Sequence, residues 1–315
     1  MALRNIIGQE RALRILLGTL KRNRVPSSIL LSGDSGIGKR LAAINYAKAV
    51  NCLEPADFDC CDKCMSCKKI DSEMHPDVSM IVPENDVITI ETIRNTQEVI
   101  SLRPYEGRKK VLIVDDADAM NIYAANAFLK TLEEPPDDSL IILISSNPER
   151  LPDTIRSRCV NVRFYPLPVD GCREVASKNI DPKSIDFVLN LSMGRPGLAV
   201  SRDFIKENEW FMKLLNNMIY EKSKDVWSDK GEIRAWLDMA FILLRDMAVY
   251  KITGSEKDLM LKGQGSKVKG QEIQSILNSY QDMQQVRGLL DFNLNKSITW
   301  NYVASIMRTL MANSS

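Results

Sequence analysis

The sequence predicts an α/β domain built on a parallel sheet with helices on both faces, followed by a small helical domain and a larger all-helical one. Three observations lead there. Short apolar runs of the buried-strand type recur between segments with helical apolar spacing. A glycine-rich turn joins the first of those runs to the helix after it. Beyond residue 164 the strand signal fades and only helical periodicity continues.

Each element follows from its residues. Residues 9–23 place Leu13, Leu16, Leu17 and Leu20 on one helical face, and 28–32 is an apolar run too short for a helix. Residues 39–51 read as the next helix and 78–82 as a strand, and Thr89 caps a helix that turns Ile90, Ile93 and Ile100 inward. Residues 110–115, 140–145 and 160–164 read as further strands. Between the first two of these, Ile122, Ala125, Leu129 and Leu132 mark a helix that Pro135 and Pro136 stop. Strands that alternate with helices are parallel, because the chain must cross back over the sheet between them. Pro166, Pro168 and Gly171 mark a boundary. Domains are therefore expected at 1–166, 167–202 and 203–315, with a cysteine-bearing insertion at 52–67 and a glycine-bearing interruption at 262–269.

The 315 residues are 44% hydrophobic and 26% charged with a net charge of +1, which excludes wholesale disorder and names no partner. The charge is uneven: residues 1–50 carry nine Lys or Arg against two acids. Arg11, Arg14, Lys21, Arg22 and Arg24 fit either a solvated helix face or one that meets a polyanion. No apolar run approaches the roughly 20 residues that span a bilayer, and the N-terminal segment lacks the order of a secretion signal. A cytosolic protein without a membrane partner is expected.

The run Gly33-Asp34-Ser35-Gly36-Ile37-Gly38-Lys39-Arg40 lies between a strand and a helix, the context of a phosphate-cradling loop. Gly33, Gly36 and Gly38 let backbone N–H groups converge on phosphate oxygens, and Lys39 supplies the cation. Arg40, however, stands where a Ser or Thr hydroxyl would bind Mg2+. Asp115 closes its strand as a metal-site carboxylate should, and Asp116 is one methylene shorter than the Glu that commonly polarises the attacking water. Two weakened parts in one site point to a degenerate ATPase, which leaves ATP or ADP binding without turnover open and makes Mg2+ doubtful. Cys52, Cys61, Cys64 and Cys67 have the C-x8-C-x2-C-x2-C spacing of a closed four-thiolate site, for which structural Zn2+ is the natural occupant. Cys60 competes with Cys61 as a ligand. His75, the one histidine, reads as part of a turn and not as a ligand.

These residues, together with Ile7-Gly8-Gln9-Glu10, Leu102-Arg103-Pro104, Val114-Asp115-Asp116-Ala117-Asp118, the run from Leu129 through Glu133-Glu134-Pro135-Pro136, and Ser157-Arg158-Cys159, carry a resemblance that spans nearly the entire chain. The chain resembles the AAA+ clamp-loader family of bacterial DNA polymerase III, in particular its delta-prime group, which is related to the tau/gamma subunits. The resemblance implies a P-loop AAA+ domain, a helical lid and a helical collar in a five-subunit ring with tau/gamma and delta subunits. It implies that the ring acts on a sliding clamp and primer-template DNA in the bacterial cytoplasm. Arg158 would then be an arginine finger given in trans to an adjacent subunit, and Gly8 and Gln9 would match the stretch that lines the adenine pocket. A polar sensor is implied among Ser145, Ser146 and Asn147. Arg195 lies near the second sensor in a run that departs from the pattern of active subunits. Two other readings compete: a tau/gamma-like ATPase that tolerates Arg40, and a zinc-dependent nucleic-acid-binding module that uses the cysteines and the basic N-terminal segment.

Overall fold

The structure, a computed structural model, describes residues 1–220, 227–261, 272–290, 292 and 294–312; the interruption expected at 262–269 lies outside the described residues. The chain forms two compact units, Met1–Asn179 with Met193–Val200, and Ile180–Ser192 with the described part of Ser201–Ser315. Residues 167–202, expected as one small domain, are thus shared between the two units.

The first unit contains five strands, β1 (Ser28–Ser32), β2 (Val78–Ile81), β3 (Lys110–Val114), β4 (Ser139–Ser145) and β5 (Val160–Arg163). They form one parallel sheet in the order β2-β3-β4-β1-β5. Every residue of β1, β3 and β4 is buried, which is why these strands read as continuous apolar runs: helices cover both faces. The edge strands β2 and β5 are more exposed.

The helices of this unit are α1 (Glu10–Lys21), α2 (Lys39–Asn51), α3 (Met65–Asp71), α4 (Ile90–Ile100), α5 (Ile122–Glu133), α6 (Asp153–Arg156) and α7 (Val169–Ala176). Strand residues alternate between two cores, as a period of two demands. Ile29, Leu31, Val111, Ile113, Ile142 and Val162 pack with α1 and α2, whereas Leu30, Leu112, Val114, Ile141 and Leu143 pack with α4 and α5. Thr89 caps α4 by accepting from Thr92 N (3.3 Å), and Ile93 and Ile100 are buried. α5 ends at Glu133, ahead of the two prolines, and of the residues that mark it Ala125, Leu129 and Leu132 pack in the core. Ile122 is exposed, and Ala124, Ala125, Phe128, Thr131 and Leu132 turn inward. The fully buried Phe128 ring sets the rotation, and at 3.6 residues per turn Ile122 lies about 120° round the helix from it.

The second unit is helical throughout its described residues. It comprises α8 (Ile185–Ser192), α10 (Phe204–Tyr220), α11 (Lys230–Thr253), α12 (Ile273–Gly288) and α13 (Lys296–Ala312), while α9 (Pro196–Ser201) belongs, but for its last residue, to the first unit. Its core is aromatic: Trp236 meets Phe211 and Trp227 at ring separations of 5.2 and 5.8 Å, and Trp227 meets Trp300 edge-on at 5.0 Å. Trp236, Leu243 and Leu244 are therefore core, with Phe241 and Ile242 half-buried beside them. No described helix is long and apolar enough to cross a membrane.

Candidate nucleotide-binding and metal sites

The phosphate loop leaves the C-terminal end of β1 and opens α2. Gly33, Gly36 and Gly38 adopt φ values of 135°, 79° and 97°, which only glycine takes without strain. At Gly36 a side chain would also collide, since an added Cβ would lie 2.8 Å from Leu198 Cγ, and the Gly36 carbonyl accepts from Gly197 N at 2.7 Å. The run after Met193 therefore packs directly on the loop. Lys39 is buried, and its Nζ donates to the carbonyls of Gly33 (2.5 Å) and Asp34 (2.6 Å) and lies 3.4 Å from Ser146 Oγ. Burial lowers the Lys39 pKa, against the opposing pull of Asp116, Asp115, Asp118 and Asp34. Burial, then the like charges of Asp115 and Asp118, raise that of Asp116.

Arg40 reaches across this site: its guanidinium lies 3.5 Å from Asp115 and 3.8 Å from Glu73. The carboxylate that should face a divalent cation faces a side-chain cation, and residue 40 itself offers no hydroxyl. The donor set does not fit Mg2+. Of the three polar residues that end β4, Ser145 is fully buried and Ser146 points toward Lys39, with its N–H held by Asp118 Oδ1 at 3.1 Å. Gln9 is buried, donates to the carbonyls of Ile37 (3.2 Å) and Tyr165 (2.7 Å) and accepts from Tyr165 N (3.2 Å), fastening the loop to the chain after β5. Gly8, at φ 75°, abuts Leu167.

Arg158 lies elsewhere. It precedes β5, at the N-terminal end of the sheet, because Val160 is in register with Ile29. Its guanidinium pairs with Glu133 at the last turn of α5 (2.5 Å) and donates to the Thr154 carbonyl (2.7 Å), yet the side chain remains 34% exposed. The chain's own phosphate loop stands at the opposite end of the strands.

The four cysteines converge as expected. Cys52, Cys61, Cys64 and Cys67 bring their sulfurs within 4.8 Å of one another, and this group can hold a metal ion. The Cys52–Cys64 and Cys52–Cys67 sulfur separations are 3.9 and 3.8 Å, against about 3.8 Å for a tetrahedron with the usual zinc–sulfur bond. Backbone N–H groups of Cys61, Cys64 and Cys67 point at the sulfurs of Cys52 (3.3 Å), Cys61 (3.3 Å) and Cys64 (3.5 Å), a pattern that stabilises thiolates. The donor set fits zinc. Cys60 turns away toward Asp62 and the Met1 carbonyl, and it is Cys61 whose sulfur joins the group of four.

Several residues around the cysteines gave no signal in the sequence, because their partners are remote along the chain. Fully buried Lys48 pairs with Asp62 and with Asp71 (2.9 Å), and the Met1 amino group also binds Asp62 (2.9 Å). Asp59 accepts from the N–H groups of Leu3, Arg4 and Cys60, so the N-terminus is pinned to the insertion. His75 is buried in its turn: Nε2 lies 3.2 Å from Ser66 Oγ and Nδ1 accepts from Asp77 N (3.1 Å).

The sequence profile of the family described as "DNA polymerase III, delta subunit" matches residues 8–168. The DNA polymerase III subunit delta' of Bacillus subtilis is 30% identical over 285 residues, covering 86% of each chain. That of Pseudomonas aeruginosa is 40% identical over 141 residues, 44% of this chain and 43% of its own. The B. subtilis DNA polymerase III subunit tau is 35% identical over 160 residues, 51% of this chain and 28% of its own. The profile runs through the phosphate loop, the cysteine insertion and Arg158, and the first relative aligns along most of both chains; the chain belongs to the delta-prime family of DNA polymerase III clamp-loader subunits.

Proposed function

We propose that this chain is a non-hydrolysing clamp-loader subunit that lends Arg158 to the nucleotide site of a neighbouring tau/gamma subunit. The observation that carries this reading is the position of Arg158. From Ile29 to Gly33 the strand covers about 13 Å at ~3.3 Å per residue, and Arg158 sits at the far end of it, tethered by a half-exposed Glu133. It serves another molecule's triphosphate or none. Glu133 pairs with the guanidinium and is easily exchanged for phosphoryl oxygens, because a pair exposed to water is weak. The chain's own pocket complements this role: Arg40 occupies Asp115, and no step of hydrolysis runs through it.

In this reading Ser146 is the sensor residue, Gly8 and Gln9 brace the loop beside any adenine, and Cys52, Cys61, Cys64 and Cys67 hold a structural zinc with no coordination position left for water. Residues 167–202 act as a lid and residues 203–315 as a collar in a five-subunit ring with tau/gamma and delta, which works on a sliding clamp and primer-template DNA in the cytoplasm.

The test is ATP hydrolysis by the reconstituted complex. Arg158→Ala should reduce it by about 10³-fold or more, the usual worth of an arginine finger, and Lys39→Ala should leave it unchanged. The opposite pattern refutes the proposal. The retained Lys39, ringed by Asp115, Asp116 and Asp118, favours a second reading as an active ATPase. Single-turnover hydrolysis by the isolated chain above a Lys39→Ala control would establish it.

A further inference from the structure

We infer that a groove at the N-terminal ends of the strands, remote from the phosphate loop, binds single-stranded nucleic acid. The groove encloses about 720 Å³ between the ends of α1 and α2, the tip of the cysteine insertion and the turns before β3 and β4. Lys21, Arg108 and Lys109 contribute cations, and Leu20, Val25 and Phe58 contribute apolar surface. Asp57 and Asp138 are the acids that face it, and Asp57 shares the Arg4 guanidinium, 3.0 Å away, with Asp59 at 3.4 Å.

The charge extends beyond the groove. Arg11, Arg14, Lys21 and Arg22 are exposed and fall within about 100° of the arc of α1 at 3.6 residues per turn, and exposed Arg24 follows them. Among the described residues none of these, nor Arg108 or Lys109, has a carboxylate in ion-pair contact, whereas Arg4, Arg40 and Lys48 of the same N-terminal stretch are all paired. A row of unneutralised cations attracts a polyphosphate backbone.

Phe58 decides which kind of nucleic acid. It occupies the tip of a two-residue hairpin in which Ala56 and Asp59 exchange hydrogen bonds of 3.1 and 3.0 Å, with Asp57 and Phe58 at φ 47° and 66°. Such a turn favours Asn-Gly, and a phenylalanine there is strained; it is nonetheless held 53% exposed beside the cations. A solvent-facing ring among cations is a stacking platform for bases, which are available in a single strand and already stacked in a duplex. The groove is also anchored: Asn51, next to Cys52, accepts from Arg108 N and Lys109 N (2.9 Å each) and donates to the Lys109 carbonyl (2.9 Å).

The inference does not depend on the role of Arg158, and its test uses the full chain alone. Fluorescence anisotropy with labelled oligothymidylate of about 20 nucleotides should show binding that weakens as salt rises. Reversing Lys21, Arg108 and Lys109 to Glu together should make the log–log salt slope shallower by about 2, at ~0.7 per phosphate contact. Phe58→Ala should weaken binding about 5- to 150-fold, the worth of one stacked base, and Phe58→Tyr should restore it. Circular dichroism and metal content check that each variant is folded. Unchanged binding by the triple variant overturns the inference. So does blunt duplex that binds as tightly and ignores Phe58→Ala, or polyglutamate that competes as well as the oligonucleotide.

Discussion

Replacing Arg40 by threonine should strengthen magnesium-dependent nucleotide binding at the phosphate loop. The substitution supplies the hydroxyl that the loop lacks and frees Asp115 from a guanidinium 3.5 Å away. At that distance a unit charge pair is worth about 1 kcal/mol in water and about 5 kcal/mol at an effective dielectric of 20. Arg40 is 50% exposed and Asp115 15%, so the lower part of the range applies. A gain of about 1–2 kcal/mol from releasing the carboxylate corresponds to about 5- to 30-fold in Mg2+-dependent nucleotide affinity. The assay is titration of a fluorescent ATP analogue into wild type and Arg40→Thr, each with magnesium and with excess EDTA. Wild type should bind equally weakly in both buffers, and the variant should bind more tightly only with magnesium. Equal affinities for both proteins in both buffers would show that Arg40 is not what disables the site, and the degenerate-pocket account would fall with it. Hydrolysis need not appear, because Asp116 still stands where a longer carboxylate is wanted.

Metal analysis should find about one zinc per chain in wild type and in Cys60→Ser, and little in Cys61→Ser or Cys64→Ser, since a structural site needs all four ligands; zinc retained in Cys61→Ser and lost in Cys60→Ser would reverse the ligand assignment. Asp77 is fully buried and accepts from Tyr105 N, Glu106 N and Gly107 N at 2.7–2.8 Å, with Lys110 Nζ at 3.4 Å. Asp77→Ala strands these donors and should cost about 3–5 kcal/mol, read as a lower urea midpoint at unchanged slope. Burial would raise the Asp77 pKa, but the three N–H groups and Lys110 outweigh it and hold the carboxyl below its usual 3.8. The stabilisation is therefore complete above about pH 4 and lost as pH falls through the depressed value. The wild-type advantage over Asp77→Ala should shrink on acidification, and an advantage that grows would contradict the assignment.

Much of the architecture was legible in the sequence. Apolar period and run length mark the parallel α/β unit, and the turn after β1 declares a phosphate loop. The x2 spacings among Cys61, Cys64 and Cys67 announce a group of sulfurs that can hold a metal ion. All of these signals reside within a few consecutive residues, where backbone geometry alone decides which side chains share a face or a ligand sphere. The spacing of Ala125, Leu129 and Leu132 marks α5, but the fully buried Phe128 beneath the sheet and the exposure of Ile122 are set by packing that the spacing does not encode.

What only the tertiary structure decided joins residues remote along the chain. Arg40 meets Asp115, Gly36 meets Gly197, Arg158 meets Glu133, and Lys21, Phe58 and Arg108 border one groove. A parallel sheet gathers the C-terminal ends of its strands at one edge and their N-terminal ends at the other, so strand order and register, which no local period encodes, determine these meetings. The amino-acid order by itself thus determined which chemical parts this protein owns, and the sheet decided that the phosphate loop and Arg158 stand at opposite ends of it.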